Sequence, residues 1–503
     1  MPSPSWRVAA SSTHPDRVWV GLDLGTSGLK GVAVDDAGAV LARGQRAYPT
    51  HRPEPGACEQ DPQDWLDAVH SVVAQLLDVV PAHRWAGIGL SAMLPTLVTV
   101  DASLVAVGPA ITWEDGRADA YGDAFRAAAG PDHVYRRTGQ WVDGRYLLPM
   151  WQRIAETDDA RAAQTAMLLG AKDFVLSRLV GHTVTDPSTA AGFGCFDLAA
   201  GRWDPDLCDL VPDLPSLPDV VPSATALPLL DTAADDLGLA RGLPVCAGAA
   251  DSVLGALGMG VREPGDVAYV AGTSTVVLGV ADTLVLDPLH RFLVTPLALP
   301  GTWGLEMDLL STGAAIRWLA ALLGVPDERA ALALAAAAEP EAAPVFLPYV
   351  APGEQGALWD PDLTGTVVGL TLAHGAGDLV SGLVQGIVVE SARCLATLES
   401  TGFDRRAVRV AGGSASDAWF RQQLADASGR EVVAPVDGDS DYSALGAASL
   451  TSVAVTGRAL ATRLADTVTT RPDTSTTQAW ERRTQQHETA RANVGHGVAS
   501  TLR

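Results

Sequence analysis

Lysine is nearly missing from this chain: of its 35 basic residues only Lys30 and Lys172 are lysine. A coding bias explains the skew as a whole. The two survivors are either leftover surface residues or positions that need a compact ammonium rather than a planar fork. Cysteine is sparse as well. Cys58, Cys195, Cys208, Cys246 and Cys394 fall singly, with no CxxC pair, which argues against a disulfide framework and for buried free thiols in a reducing compartment. The ten histidines form no HExxH or comparable ligand pair, and no GxSxG elbow is present, so neither a histidine metal site nor a serine hydrolase is expected. No uninterrupted apolar run approaches bilayer length, and residues 1–16, rich in Ser and Pro, lack the apolar stretch of a signal peptide. A cytoplasmic location and no membrane partner are the expectation. The net charge of -24 opposes nonspecific binding to nucleic acid, which is not expected as a partner either.

What the chain does have is length and a repeated turn. At 503 residues and 47% hydrophobic content it exceeds what one core organises, so two large domains with a cleft between them are expected. An apolar strand at 18–22 runs through Asp23-Leu24-Gly25-Thr26-Ser27-Gly28-Leu29-Lys30 into a second strand at 30–34, a hairpin turn at 35–38 and a third strand at 39–47. In a Rossmann unit the glycine turn would open a helix directly; a meander fits the start of an actin-like ATPase domain better. Helical spacing follows over 63–80 through Trp65, Val69, Val72, Val73 and Leu76, then a short buried strand over 88–91. Strands at 266–271 and 276–280 around Gly272-Thr273-Ser274-Thr275 restart the plan, which reads as an internal duplication with its boundary near 243–248. Small residues let a backbone approach phosphate closely, hydroxyls and amides donate to its oxygens, and a carboxylate on the first turn can hold a cation.

Several residues have the chemistry for phosphoryl transfer. Asp23 is either a turn residue satisfying local amides or a Mg2+ ligand. Asp251, after the small residues of Ala247-Gly248-Ala249-Ala250, is either a helix N-cap or the base that receives an acceptor hydroxyl's proton. A carboxylate of ordinary pKa ~3.9 is a weak base, which suits a loose transition state from which the proton leaves late. Trp113-Glu114-Asp115-Gly116-Arg117 is a solvated turn or a surface for a sugar or polyol. Ser91-Ala92-Met93-Leu94-Pro95 could line the same pocket, although Met93 alone reads as core. A strand at 408–411 leads into Gly412-Gly413-Ser414-Ala415-Ser416-Asp417, whose glycines allow either a nucleotide or a tightly packed helix.

The ordered set D-L-G-T-S-G-L-K at 23–30, E-Q-D-P at 59–62, W-E-D-G-R-A at 113–118, A-K-D at 171–173, T-D-P-S at 185–188, A-G-A-A-D at 247–251, A-G-T-S at 271–274, A-G-G-S at 411–414 and A-L-G-A-A at 444–448 resembles the FGGY carbohydrate kinases, most of all the xylulose kinases. The resemblance implies an α/β fold of two actin-like (ribonuclease H-like) ATPase domains with a central cleft. It divides the chain into a disordered extension (1–16), a sugar-side domain (17–246), a nucleotide-side domain (247–470) and a terminal helix and tail (471–503). It implies ATP and Mg2+ as cofactors, with Asp251 as base and Asp23 at the metal and phosphates. Gly25, Thr26, Ser27, Lys30, Gly272, Thr273, Ser274, Gly313, Arg317, Gly412, Gly413, Ser414 and Asp417 would hold the nucleotide, and Met93, Leu94, Trp113 and Asp115 the sugar. Where xylulose kinases carry a Met-His pair, this chain has Met93-Leu94-Pro95. The substrate therefore stays open between a ketopentose such as D-xylulose and gluconate, ribulose or erythritol. A catalytically silent actin-like sugar sensor is the alternative of another class, and a homodimer stays open.

Overall fold

The computed structural model describes residues 17–351, 356–358, 363–404, 406–436, 441–460 and 467–498; the expected extension over 1–16 and the end of the tail lie outside the described residues. The first sheet has the order β5-β6-β4-β1-β2-β3, built from β1 (Val18–Leu24), β2 (Gly28–Asp35), β3 (Val40–Ala47), β4 (Trp85–Ala92), β5 (Ala226–Pro228) and β6 (Pro244–Ala250). The first three strands form the expected antiparallel meander. β4 then lies parallel to β1, and β6 parallel to β4. Strands covered on both faces need near-continuous apolar sequence, and β1 (Val-Trp-Val-Gly-Leu-Asp-Leu) is buried at every position but Asp23.

The second sheet repeats the plan. Its order is β9-β10-β8-β7-β11-β12-β13, from β7 (Val267–Ala271), β8 (Thr275–Ala281), β9 (Leu293–Pro296), β10 (Trp303–Leu309), β11 (Val408–Ala411), β12 (Val432–Pro435) and β13 (Thr467–Thr470). The meander β7-β8-β10 corresponds to β1-β2-β3, and parallel β11 and β12 correspond to β4 and β6. The expected division at residue 246 falls inside β6, which continues its ladder with β4 through Ala250. The stretch near residue 470 forms an edge strand paired with β12 before the helix Thr477–Val498 begins.

Each sheet has its own apolar core. The helix Pro62–Leu77 places Trp65, Val69, Val72 and Leu76 against the first sheet. In the second, the 24-residue helix Ala376–Glu399 buries Leu383, Ile387 and Leu395. It is long and apolar enough to cross a membrane by composition alone, yet most of it is buried in this core. A small sheet of Glu59–Gln60, Ala110–Thr112, Thr96–Val100 and Met167–Gly170 stands beside the first domain and carries the Trp113 loop.

Candidate active site

In an open parallel sheet the carboxyl ends of adjacent strands form a crevice suited to ligands. Here β1 ends near Asp23, β4 at Ala92, and β6 leads directly into Asp251, the first residue of the helix Asp251–Gly258. Ser91 lies opposite Asp23 in the β1/β4 ladder and donates its hydroxyl to Asp23 Oδ1 at 2.7 Å. Burial raises the Asp23 carboxyl; the Ser91 hydrogen bond and Lys30 oppose the rise. Asp251 accepts from the Ser252 amide at 2.8 Å. Burial, reinforced by the charge of Asp23, pushes its carboxyl up to about 7, so it is a stronger base than the ordinary carboxylate expected from sequence.

Asp251 lines an open cleft together with Thr26, Leu94, Pro95 and Trp113 from the first domain and Ser274 from the second. The Trp113 indole donates to Thr26 Oγ1 at 3.3 Å, and Gln60 Nε2 holds the Thr26 carbonyl at 2.7 Å. The neighbouring turn closes on itself through the Gly25 amide and the Gly28 carbonyl at 3.1 Å, with Ser27 exposed beside them. Met93 is buried, its amide bonded to the Leu24 carbonyl. Asp115 is buried away from the cleft lining: its carboxylate accepts from the Cys58 amide at 2.8 Å and from Arg117 at 2.7 Å. Lys30 Nζ lies 3.5 Å from Asp441 at the start of the helix Tyr442–Thr456.

The remaining expected residues gather on the second domain. Gly272 closes the β7/β8 turn on Ser274 at 2.8 Å, and the Thr273 carbonyl accepts from the amides of Thr312 and Ala314. Gly313 approaches so closely that a Cβ there would lie 2.3 Å from the Gly272 carbonyl oxygen, and one on Gly412, at φ +98, would lie 2.2 Å from that of Ala271. Arg317 donates to Thr273 Oγ1 at 3.2 Å and pairs with Glu328 at 3.0 Å; Glu328 in turn accepts from Ser414 Oγ at 2.5 Å. Gly413 lies beside the same carboxylate. Asp417 caps the helix Ala418–Ser428 by accepting from the Phe420 amide at 3.0 Å.

Two models for the FGGY family of carbohydrate kinases match this arrangement, the N-terminal domain over residues 18–258 and the C-terminal domain over 267–455. The chain belongs to the FGGY family of carbohydrate kinases. This FGGY kinase is 31% identical over 447 residues to the xylulose kinase of Escherichia coli (strain K12), covering 87% of this chain and 90% of the relative. It is 26% identical to the gluconokinase of Bacillus subtilis (strain 168), covering 86% of each. The crystal structure of xylulose kinase from Rhodospirillum rubrum superposes with a TM-score of 0.86 at 28% identity, covering 95% of this chain and 99% of that one. The protein is an ATP-dependent sugar kinase with two actin-like domains.

Sequence reasoning passed over several residues of the cleft of this FGGY kinase. Gln140, Arg145, Tyr146, Glu306 and Asp308 all line it, and Glu328 ties the second-domain cluster of Arg317 and Ser414 together. One signal was available. Glu306 and Asp308 stand two apart in the otherwise apolar β10, so their side chains share one face. Both carboxyls are raised by burial; Asp308 further raises Glu306, while Arg145 opposes the rise at Asp308.

Proposed function

We propose that this kinase transfers the γ-phosphoryl group of ATP to a hydroxyl of a neutral sugar, a ketopentose such as D-xylulose, with Asp251 as general base. The observation that carries the reading is the position of Asp251: a half-buried carboxylate at the end of β6, facing a cleft that the Thr26 and Ser274 turns enter from opposite domains. The acceptor hydroxyl gives its proton to Asp251 as its oxygen bonds to the γ-phosphorus, and the bond from that phosphorus to the β-phosphate bridging oxygen breaks to release ADP. A base with a pKa near the operating pH combines a usable deprotonated fraction with a real driving force for proton transfer. Closing the domains over the cleft excludes water, which would otherwise accept the phosphoryl group.

The chain's donors also suit the nucleotide and a magnesium ion. Gly272, Thr273, Gly412 and Gly413 provide backbone that phosphate can approach, and Arg317 and Ser414 provide side-chain donors held by Glu328. Among the described residues no group of three or more His, Cys, Asp or Glu could hold a metal. Mg2+ that arrives with nucleotide does not need such a cage, because one or two carboxylates plus phosphate oxygens suffice. Asp23, half-buried at the carboxyl end of the interior strand β1 and electrostatically coupled to Asp251, is the carboxylate that would hold it. When bound, the ion neutralises phosphate charge.

The cleft favours a neutral acceptor over a sugar acid. Asp251, Glu306 and Asp308 line it and all three already hold their protons above the usual carboxylate range. Arg145 is shared with Asp143 through bonds of 2.8 to 3.1 Å. An aldonate would add a fourth acid to this wall. With Leu94 in place of an imidazole, the side chains in the lining that can meet hydroxyls include Trp113, Gln140, Tyr146 and these acids.

ADP release measured with D-xylulose, D-ribulose, erythritol and D-gluconate tests the substrate; gluconate as the preferred acceptor overturns the neutral-sugar reading. For the base, Asp251→Asn is expected to lower kcat by roughly 10²- to 10⁴-fold while ATP still binds. Turnover near the parent's in that variant overturns the assignment.

A further inference from the structure

Lys172, one of the chain's two lysines, is 1% exposed. Its ammonium lies 2.7 Å from Asp173 and 3.3 Å from Asp186, and both of those carboxylates are fully buried. A buried ion pair needs its remaining lone pairs satisfied if it is to hold, and Asp186 has more partners than any helix cap requires. It caps the helix Pro187–Ala191 through the Ser188 amide at 2.9 Å. It also accepts from the hydroxyls of Ser188 and Thr189 at 2.6 Å each and from Ser223 at 3.1 Å. The Ser188 hydroxyl, its proton given to Asp186, has a lone pair for the Ala250 amide at 2.9 Å.

Ala250 directly precedes Asp251, at a place where the sheet's own hydrogen bonding is irregular. The β6/β4 ladder slips between Cys246 and Ala249. Within the slip Gly248 adopts φ +79, where a Cβ would fall 1.8 Å from the Leu90 carbonyl oxygen and 3.2 Å from Lys172 Cδ. The Ala247 and Gly248 amides leave the ladder for the carbonyls of Thr225 and Ser223. The network therefore touches the irregular strand end twice, by the Lys172 stem at Gly248 and by the Ser188 hydroxyl at Ala250.

We propose that Lys172, Asp186 and Ser188 form a buried anchor that sets the position of the Asp251 carboxylate in the cleft, acting as positioning residues for phosphoryl transfer. This rests on Asp251 being the base. The compact ammonium lies between two carboxylates while its stem passes over a glycine. Reacting atoms must meet within a narrow range of geometry, and a misplacement of about 1 Å costs on the order of 10²-fold in rate.

The test is steady-state kinetics of the full-length enzyme with ATP and its best sugar. Ser188→Ala removes one hydroxyl and is expected to lower kcat about 10- to 100-fold with the KM for ATP unchanged. Asp186→Asn keeps an oxygen acceptor and leaves Lys172 its Asp173 partner; it serves as the second variant, with the same split in smaller measure. Because the anchor acts through Asp251, adding Ser188→Ala to Asp251→Asn is expected to slow the enzyme no further. Unchanged kcat in both single variants beside an inactive Asp251→Asn overturns the anchor alone, as does an additive loss in the double variant. Full turnover of Asp251→Asn overturns the base assignment and, with it, the anchor's catalytic role.

Discussion

Gly446 and Leu254 meet backbone to backbone: a Cβ on Gly446 would lie 1.9 Å from the Leu254 carbonyl oxygen. Leu254 belongs to the helix that begins at Asp251, and Gly446 to Tyr442–Thr456, a helix late in the chain that packs on β1, β4 and β6 of the first sheet. Gly21, Gly89 and Gly258 make equally close approaches to the carbonyls of Ala444, Ala447 and Tyr442, at 1.8, 2.2 and 2.0 Å from where a Cβ would stand. The two helices thus carry the chain out of the first domain and back onto it.

Gly446→Ala is expected to destabilise the protein by about 2 to 3 kcal/mol, because the new methyl meets backbone that cannot swing aside. Gly255→Ala in the facing helix is the internal control. Its Cβ would meet only the Ser443 hydroxyl, at 3.3 Å, and alanine is the better helix former by about 1 kcal/mol. The denaturant midpoint should fall for Gly446→Ala and not for Gly255→Ala; a harmless Gly446→Ala would mean that the helices separate without cost.

The meander around Asp23 was legible because its strands are local in sequence and continuously apolar, and Val267–Ala271 and Thr275–Ala281 repeat it after a turn of the same small residues. The third strand of the second meander, Trp303–Leu309, was harder to find, since Leu293–Pro296 intervenes in sequence and pairs on its far side. That strand brings Glu306 and Asp308 into the cleft, which is why they were missed. Asp115 shows the converse limit. A carboxylate beside Trp113 reads as a ligand for hydroxyls, but only the fold reveals that the Cys58 amide and Arg117 occupy its oxygens. Lys172 could be noticed for its rarity; its partner Asp186 depends on long-range packing that no local pattern encodes.

Glu328 holds two donors of the proposed nucleotide site at once, Arg317 and Ser414. Glu328→Gln keeps the side chain's shape and removes the charge that fixes them. The KM for ATP is expected to rise roughly tenfold, equivalent to about 1.4 kcal/mol, with the KM for the sugar unchanged because Glu328 lies outside the lining of the cleft. A change confined to the sugar's KM would remove the cluster from the nucleotide site.

Asp251, through its raised carboxyl, makes the stability of the fold depend on pH. Its carboxyl titrates from an ordinary 3.8 to about 7 in the fold, chiefly through burial. Between those values the unfolded chain has released the proton and the folded chain keeps it. The unfolded state therefore binds fewer protons there, and stability falls as pH rises through the window and levels off above about 7. Asparagine cannot ionise, yet it retains an oxygen for the Ser252 amide. Asp251→Asn should melt higher than the parent above pH 7, with the gap closing toward pH 4, when both are compared without nucleotide or metal across that range. A gap that does not vary with pH would show that Asp251 is already ionised in the folded protein at low pH, which would leave it the weak base of an ordinary carboxylate.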